Sequence, residues 1–175
     1  MTSHTQHGST LIISLIILII LMLLGVTAMM TSDTAYKLAG NLQFENNAIN
    51  AGEAVLSEEE NALKAGTINY NHADFFAASS VTASSSGLYP AGSAIDPLNT
   101  AWNSSDSALA TSGTGRYIIE LMSTSNVMVG SSATVGGPLS YACNKVNTYR
   151  ITARGASARG ATKYVQSYFS VLTTC

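Results

Sequence analysis

The sequence predicts an α+β protein, with one long N-terminal helix whose first half spans a membrane, packed against a C-terminal antiparallel β-sheet. Three observations carry this. Residues Leu11–Met30 read LIISLIILIILMLLGVTAMM, without charge or proline. The stretch from Thr31 to about Ala65 is also proline-free and continues a helical pattern. From Arg116 onward the period changes to that of strands.

Twenty apolar residues at ~1.5 Å per residue make roughly 30 Å, the thickness of a bilayer core. Beyond them, Leu38, Leu42, Ala48, Ala51, Val55, Ala62 and Leu63 recur at three- and four-residue steps and form a stripe along one side of a helix. Glu60 and Lys64 have the i,i+4 polarity that supports a helix, and Gly66 is a C-terminal stop. Leu11–Ala65 is thus expected to be one helix of about 80 Å, with weak points at Gly40-Asn41 and Gly52 where it bends or melts locally. A plain single-span anchor or a signal peptide would not need the helical continuation.

Residues 66–115 are polar, small and turn-rich, with Pro90 and Pro97. Phe75, Phe76, Leu88, Tyr89, Ile95, Leu98 and Trp102 are apolar anchors, so this is a connector packed on the head, with a helical turn near Asp74–Ala78, and not a disordered linker. Strands are expected at 116–122 (RYIIELM), 147–153 (NTYRITA) and 163–172 (KYVQSYFSVL), with 155–161 (GASARGA) as a hairpin loop. In the second, Tyr149, Ile151 and Ala153 share one face, and Arg150, Thr152 and Arg154 the other. NVMVG (126–130) and PLSYAC (138–143) add a short strand or an ordered loop. The result is a sheet of three or four strands with one face on the helix.

Net charge is −2 and only 10 % of residues are charged, so no global field recruits nucleic acid. His72 is the only histidine after the first ten residues, and no Ser/His/Asp set, phosphate loop or metal-spaced Cys/His cluster can be assembled. The acidic trio Glu58–Glu60 reads as a solvated face. The chain is therefore read as no enzyme, with no cofactor and no metal. Cys143 and Cys175 would close a loop of about 33 residues in an oxidising compartment, stabilising by roughly 3–4 kcal/mol; the alternative is two unrelated thiols.

A half-apolar, half-amphipathic helix followed by an antiparallel sheet and a late cysteine pair resembles the type IV pilin fold. HGSTLI resembles the class III leader junction, at which a prepilin peptidase cuts after glycine. GSTLIISLIILIILMLLGVTAMMTS, LAGNL (38–42), NNAINAGEAVL (46–56) and YRITARGASARGATKYVQSYF (149–169) resemble the PilX-type minor pilins. The resemblance implies a leader over 1–8, cleavage between Gly8 and Ser9 with N-methylation of Ser9, the long helix over 9–65 with its span at about 11–30, and a head over 66–175. Three departures stand out. The fifth mature position, where most pilins carry a glutamate that meets a neighbour's N-terminal amine, is Ile13. The leader has no Lys or Arg, and the proline that commonly kinks major pilins is missing.

PilX-type tip pilins and one pseudopilin of type II secretion often lack that glutamate too, and a subunit with nothing above it need not offer the charge. The implied function is a minor pilin that primes type IV pilus assembly and sits at or near the tip, supporting adhesion, aggregation or twitching. The alternatives are a minor pseudopilin of a type II secretion system, disfavoured by the small head, and a pilus-borne module for DNA or a host surface. Arg150, Arg154, Arg159 and Lys163 on the final hairpin are the candidate binding patch. Implied partners are other minor and major pilins, the prepilin peptidase, the inner-membrane assembly platform and a large tip adhesin; nucleic acid is not expected. The implied location is the inner membrane of a Gram-negative bacterium, head in the periplasm, and then the surface pilus.

Overall fold

The computed structural model describes residues 9–113, 115–127 and 145–172. Helix α1 runs unbroken from Ser9 to Ala65. Gly40 and Gly52 do not interrupt it, against the expectation of local melting. The chain divides into two units, Met1–Gln43 and Phe44–Cys175, and α1 contributes to both.

In the first unit the apolar side chains from Leu11 to Met30 are exposed. The few polar side chains there turn back on the helix. Ser14 Oγ donates to the Leu11 carbonyl at 2.9 Å, and Thr27 Oγ1 to Leu23 and Leu24 at 3.0 and 2.9 Å. Thr31 and Thr34 repeat the pattern, so each hydroxyl is satisfied without water, as lipid requires. The first charges after the span, Asp33 and Lys37, pair at 2.6 Å.

In the second unit α1 buries Ala48, Gly52, Val55, Glu59 and Leu63 at steps of four and three. Gly66, at φ 76°, ends the helix, with its N–H on the Leu63 carbonyl and the Ile68 N–H on that of Ala62. A 3-10 turn follows at Ala73–Phe76, and among the described residues five strands make one sheet: β1 (Leu88–Tyr89), β2 (Ala108–Leu109), β3 (Gly115–Val127), β4 (Lys145–Ala156) and β5 (Thr162–Leu172). The order is β1-β3-β4-β5, with β2 also on β3. The three long strands are antiparallel, as expected, with Ile119 opposite Ile151 and Tyr149 opposite Phe169. Two things differ from expectation. β3 runs on to Val127, and the connector supplies β1, parallel to β3, and β2, antiparallel to it. Residues 128–130 and 138–143, the remaining strand candidates, lie outside the described residues.

The sheet is covered on both faces. Against α1 lies a core of Leu63, Phe75, Leu88, Ile119, Leu121, Tyr149 and Ile151. The Tyr149 hydroxyl donates to the Tyr70 carbonyl at 2.8 Å, and its ring meets Phe75 at 5.0 Å. On the other face the connector forms a second core from Tyr89, Trp102 and Ile118, flanked by Val81 and Ile95. Its polar tips are satisfied: Tyr89 Oη donates to the Asp106 carbonyl and Trp102 Nε1 to that of Pro97, both at 2.8 Å.

Three glycines allow the close approach of α1 to the sheet and of β3 to β4. A Cβ on Gly155 would sit 2.1 Å from the Ala48 carbonyl oxygen and 2.3 Å from the Gly52 nitrogen. One on Gly52 would meet Val165 Cγ2 at 3.0 Å, and one on Gly115 would meet the Arg154 carbonyl oxygen at 2.6 Å. Gly52 thus reads as a packing residue where the sequence suggested a weak point.

Candidate functional site

Two features of the sequence carry functional weight, the start of α1 and the β4–β5 hairpin. Gly8 lies outside the described residues, and Ser9 is the first residue of α1. Ile13 is one turn further on, 53 % exposed among equally exposed leucines and isoleucines. Asp33 is the first carboxylate in the chain, so no acidic group stands anywhere in the apolar span. Among the described residues, one helix is long and apolar enough to cross a membrane, and its apolar stretch is wholly unburied.

The hairpin cations are largely engaged within the head. Arg150 pairs with the buried Glu120 on β3, directly opposite it. Lys163 pairs with Glu45 at 3.2 Å, and the Arg159 guanidinium lies 5.0 Å above the Phe44 ring. Ser157 Oγ donates to the Phe44 carbonyl at 2.6 Å. The hairpin tip therefore grips α1 at Phe44–Glu45 with a hydrogen bond, a cation–π contact and an ion pair. Arg154 stands opposite Arg116 on one side and Tyr164 on the other, its Nε buried without an acceptor. Arg116 is held by Ser107 Oγ at 2.7 Å and the Asn103 carbonyl at 2.8 Å. The four cations share a hairpin but do not form one open charged surface. Cys143 and Cys175, with the disulfide expected between them, lie outside the described residues.

The acidic trio is not a solvated face. Successive residues on a helix point about 100° apart, so the three carboxylates part company. Glu58 accepts the Ser112 N–H at 3.2 Å, and Glu60 accepts Ser167 Oγ–H on β5 at 2.6 Å. Among the described ion pairs none joins Glu60 to Lys64. Glu59 is only 3 % exposed. Burial, helped by the neighbouring Glu58 charge, pushes its carboxyl up to about 7. Tyr117, facing it on β3, is pushed up to about 12 by burial and by the charges of Glu59 and Glu58. The signal was present in the sequence: Glu59 falls on the stripe of Ala48, Gly52, Val55 and Leu63, four residues before Leu63.

The family model for the PilX N-terminal region matches residues 7–57, which run from just before Ser9 to just before the acidic trio. The chain carries a PilX-type pilin N-terminal domain. That match implies a type IV pilus-associated pilin, and the exposed apolar helix suits a membrane-anchored pilus subunit. No curated protein and no solved structure matches the chain significantly. The family match covers α1 up to residue 57 and leaves the end of the helix, the hairpin, the connector and both sheet faces to be read from their own residues.

Proposed function

We propose that this pilin is a minor subunit that primes type IV pilus assembly and occupies the tip of the fibre or a position next to it. The observation that carries this is Ile13. A carboxylate within lipid costs roughly 2.5–3.5 kcal/mol on insertion scales, so it is kept where a neighbour's N-terminal amine needs it. A subunit with no neighbour above has no such need, and here the whole span lacks one. The chain waits in the inner membrane of a Gram-negative bacterium with its head in the periplasm. The prepilin peptidase cuts between Gly8 and Ser9, Ser9 is N-methylated, and the apolar helix then moves from bilayer to fibre core. Domain limits follow at 1–8, 9–65 and 66–175, with Cys143 and Cys175 joined in the oxidising compartment. Other minor and major pilins and the assembly platform are the partners, a large tip adhesin the candidate cargo, and adhesion and twitching the processes served. The role is structural, not catalytic.

Deleting the gene is expected to reduce surface pili and twitching sharply, with complementation restoring both. A deletion strain with normal pilus number would reject the priming role. Mass spectrometry of the subunit from the membrane is expected to find an N-methylated Ser9 start; an intact Met1 would reject processing.

A further inference from the structure

We infer that the outer edge of β5, which has no partner strand among the described residues, is a docking site for an extended segment of another protein, one that carries a Lys or Arg flanked by apolar residues at two-residue spacing. This does not depend on where the subunit sits in a fibre. β5 is eleven residues long, pairs only with β4 among the described residues, and keeps its register without a bulge. It contains no proline and one charge, Lys163, already held by Glu45. Proteins usually blunt an edge of this length with charges, proline, bulges or a covering loop. The opposite side of this sheet shows such blunting, since β3 is capped by the two-residue strands β1 and β2 of the connector. An unblunted edge offers a row of main-chain donors and acceptors to an added strand.

Two further features say what that strand must look like. On the helix-facing side, the end of β5 and the end of α1 leave an open groove of about 650 Å³ lined by Leu63, Gly66, Tyr70, Phe169 and Val171 among others. Side chains opposite Phe169 and Val171 would enter it, so these should be apolar. Glu60 reaches Ser167 on β5, which identifies that flank of α1 as the β5 side, and Glu53, two turns earlier, lies on the same flank. A basic side chain opposite Ser167 would meet the Glu60 carboxylate. The same acid argues against a second copy of this chain. Antiparallel self-pairing centred on Ser167 would bring two Glu60 carboxylates to one two-fold axis, where like charges repel.

The test uses the full-length protein in detergent micelles and the probe peptide acetyl-Val-Thr-Val-Thr-Lys-Thr-Val-amide, together with its reversed sequence, since either strand direction satisfies the pattern. Hydrogen exchange across 162–172 is expected to slow at alternate amides when peptide saturates. Replacing the peptide's Lys with Glu, or Glu60→Gln in the protein, is expected to weaken binding by roughly tenfold each. An unchanged exchange pattern without peptide is expected for Glu60→Gln, showing that the fold is kept. No slowing at β5 with either peptide would overturn the proposal, as would equal affinity for the Lys and Glu peptides. Slowing that grows with protein concentration in the absence of peptide would assign the edge to a second copy and overturn it too.

Discussion

Gly155 marks the closest approach of helix to sheet, and a single methyl group there tests how rigid that contact is. Its Cβ would need the space of two backbone atoms on α1, the Ala48 oxygen at 2.1 Å and the Gly52 nitrogen at 2.3 Å. Backbone cannot rotate away as a side chain can, so Gly155→Ala is expected to cost at least the ~1–3 kcal/mol of an overpacked core. Gly52→Ala, whose Cβ meets the Val165 methyl at 3.0 Å and backbone, the Gly155 nitrogen, only at 3.4 Å, is expected to cost less. Urea denaturation of the two variants should rank them in that order, and the reverse ranking would contradict the packing described. Glu59 makes a pH prediction whose sign follows from its environment. Its carboxyl is raised from 4.5 to about 7 in the fold, so the folded state holds the proton more tightly than the unfolded chain. The fold is therefore undisturbed by this group below about pH 4.5, loses stability as pH rises from there to about 7, and carries the full penalty above it. Glu59→Gln, which cannot ionise, is expected to match the parent near pH 4 and to exceed it at pH 8 by an amount on the order of 1–3 kcal/mol. An identical difference at both pH values would show that Glu59 does not titrate in this window.

At the scale of elements, the outer face of the sheet depends on a connector with little regular structure. Trp102 is buried, adopts a positive φ of 53°, and stacks on Tyr164 of β5 at 5.4 Å. It joins the connector to the far strand, while Tyr89 and Ile118 fill the middle. Trp102→Ala is expected to lower stability by roughly 3–5 kcal/mol. Limited proteolysis should then cut first between 78 and 110, with the α1–β4 contact still protected; cleavage first in β4 would mean the connector is not an independent cover. The three long strands and the second half of α1 were legible because each turns one face toward the core, which imposes a period: Tyr149, Ile151 and Ala153 inward on β4, and Ala48, Val55 and Leu63 along the helix. β1 and β2 were not legible, since a two-residue strand has no period and is fixed by the register of Leu88 against Ile119. Glu59 was misread because neighbouring charges in sequence suggest a shared solvent face, whereas helical rotation separates them. The hairpin cations were found by composition, but their engagement by Glu120, Glu45 and Phe44 depends on pairing across 30 to over 100 residues of chain, which no local pattern encodes.

At the scale of the whole molecule, the proposed tip position makes a prediction about the apolar half of α1. With the proposed cleavage after Gly8, Ile13 is the fifth mature residue and leaves apolar the place where a carboxylate would meet the amine of a subunit stacked above. Ile13→Glu adds one group at one position on an exposed side of α1, remote in sequence from every head contact described above. The insertion cost of roughly 2.5–3.5 kcal/mol is small beside the transfer of a twenty-residue apolar span at ~0.8 kcal/mol per buried CH₂, so the variant should still reach the membrane. Once there, on the proposed reading, it offers the pairing charge of a shaft subunit. Its copy number relative to the major pilin in sheared fibres is expected to rise severalfold, with labelled subunits appearing along the shaft as well as at one end. Immunogold labelling and quantitative mass spectrometry of sheared pili would read both. A variant that stays at its original ratio and position would show that the missing carboxylate is not what confines the subunit, and the head would then have to supply the stop.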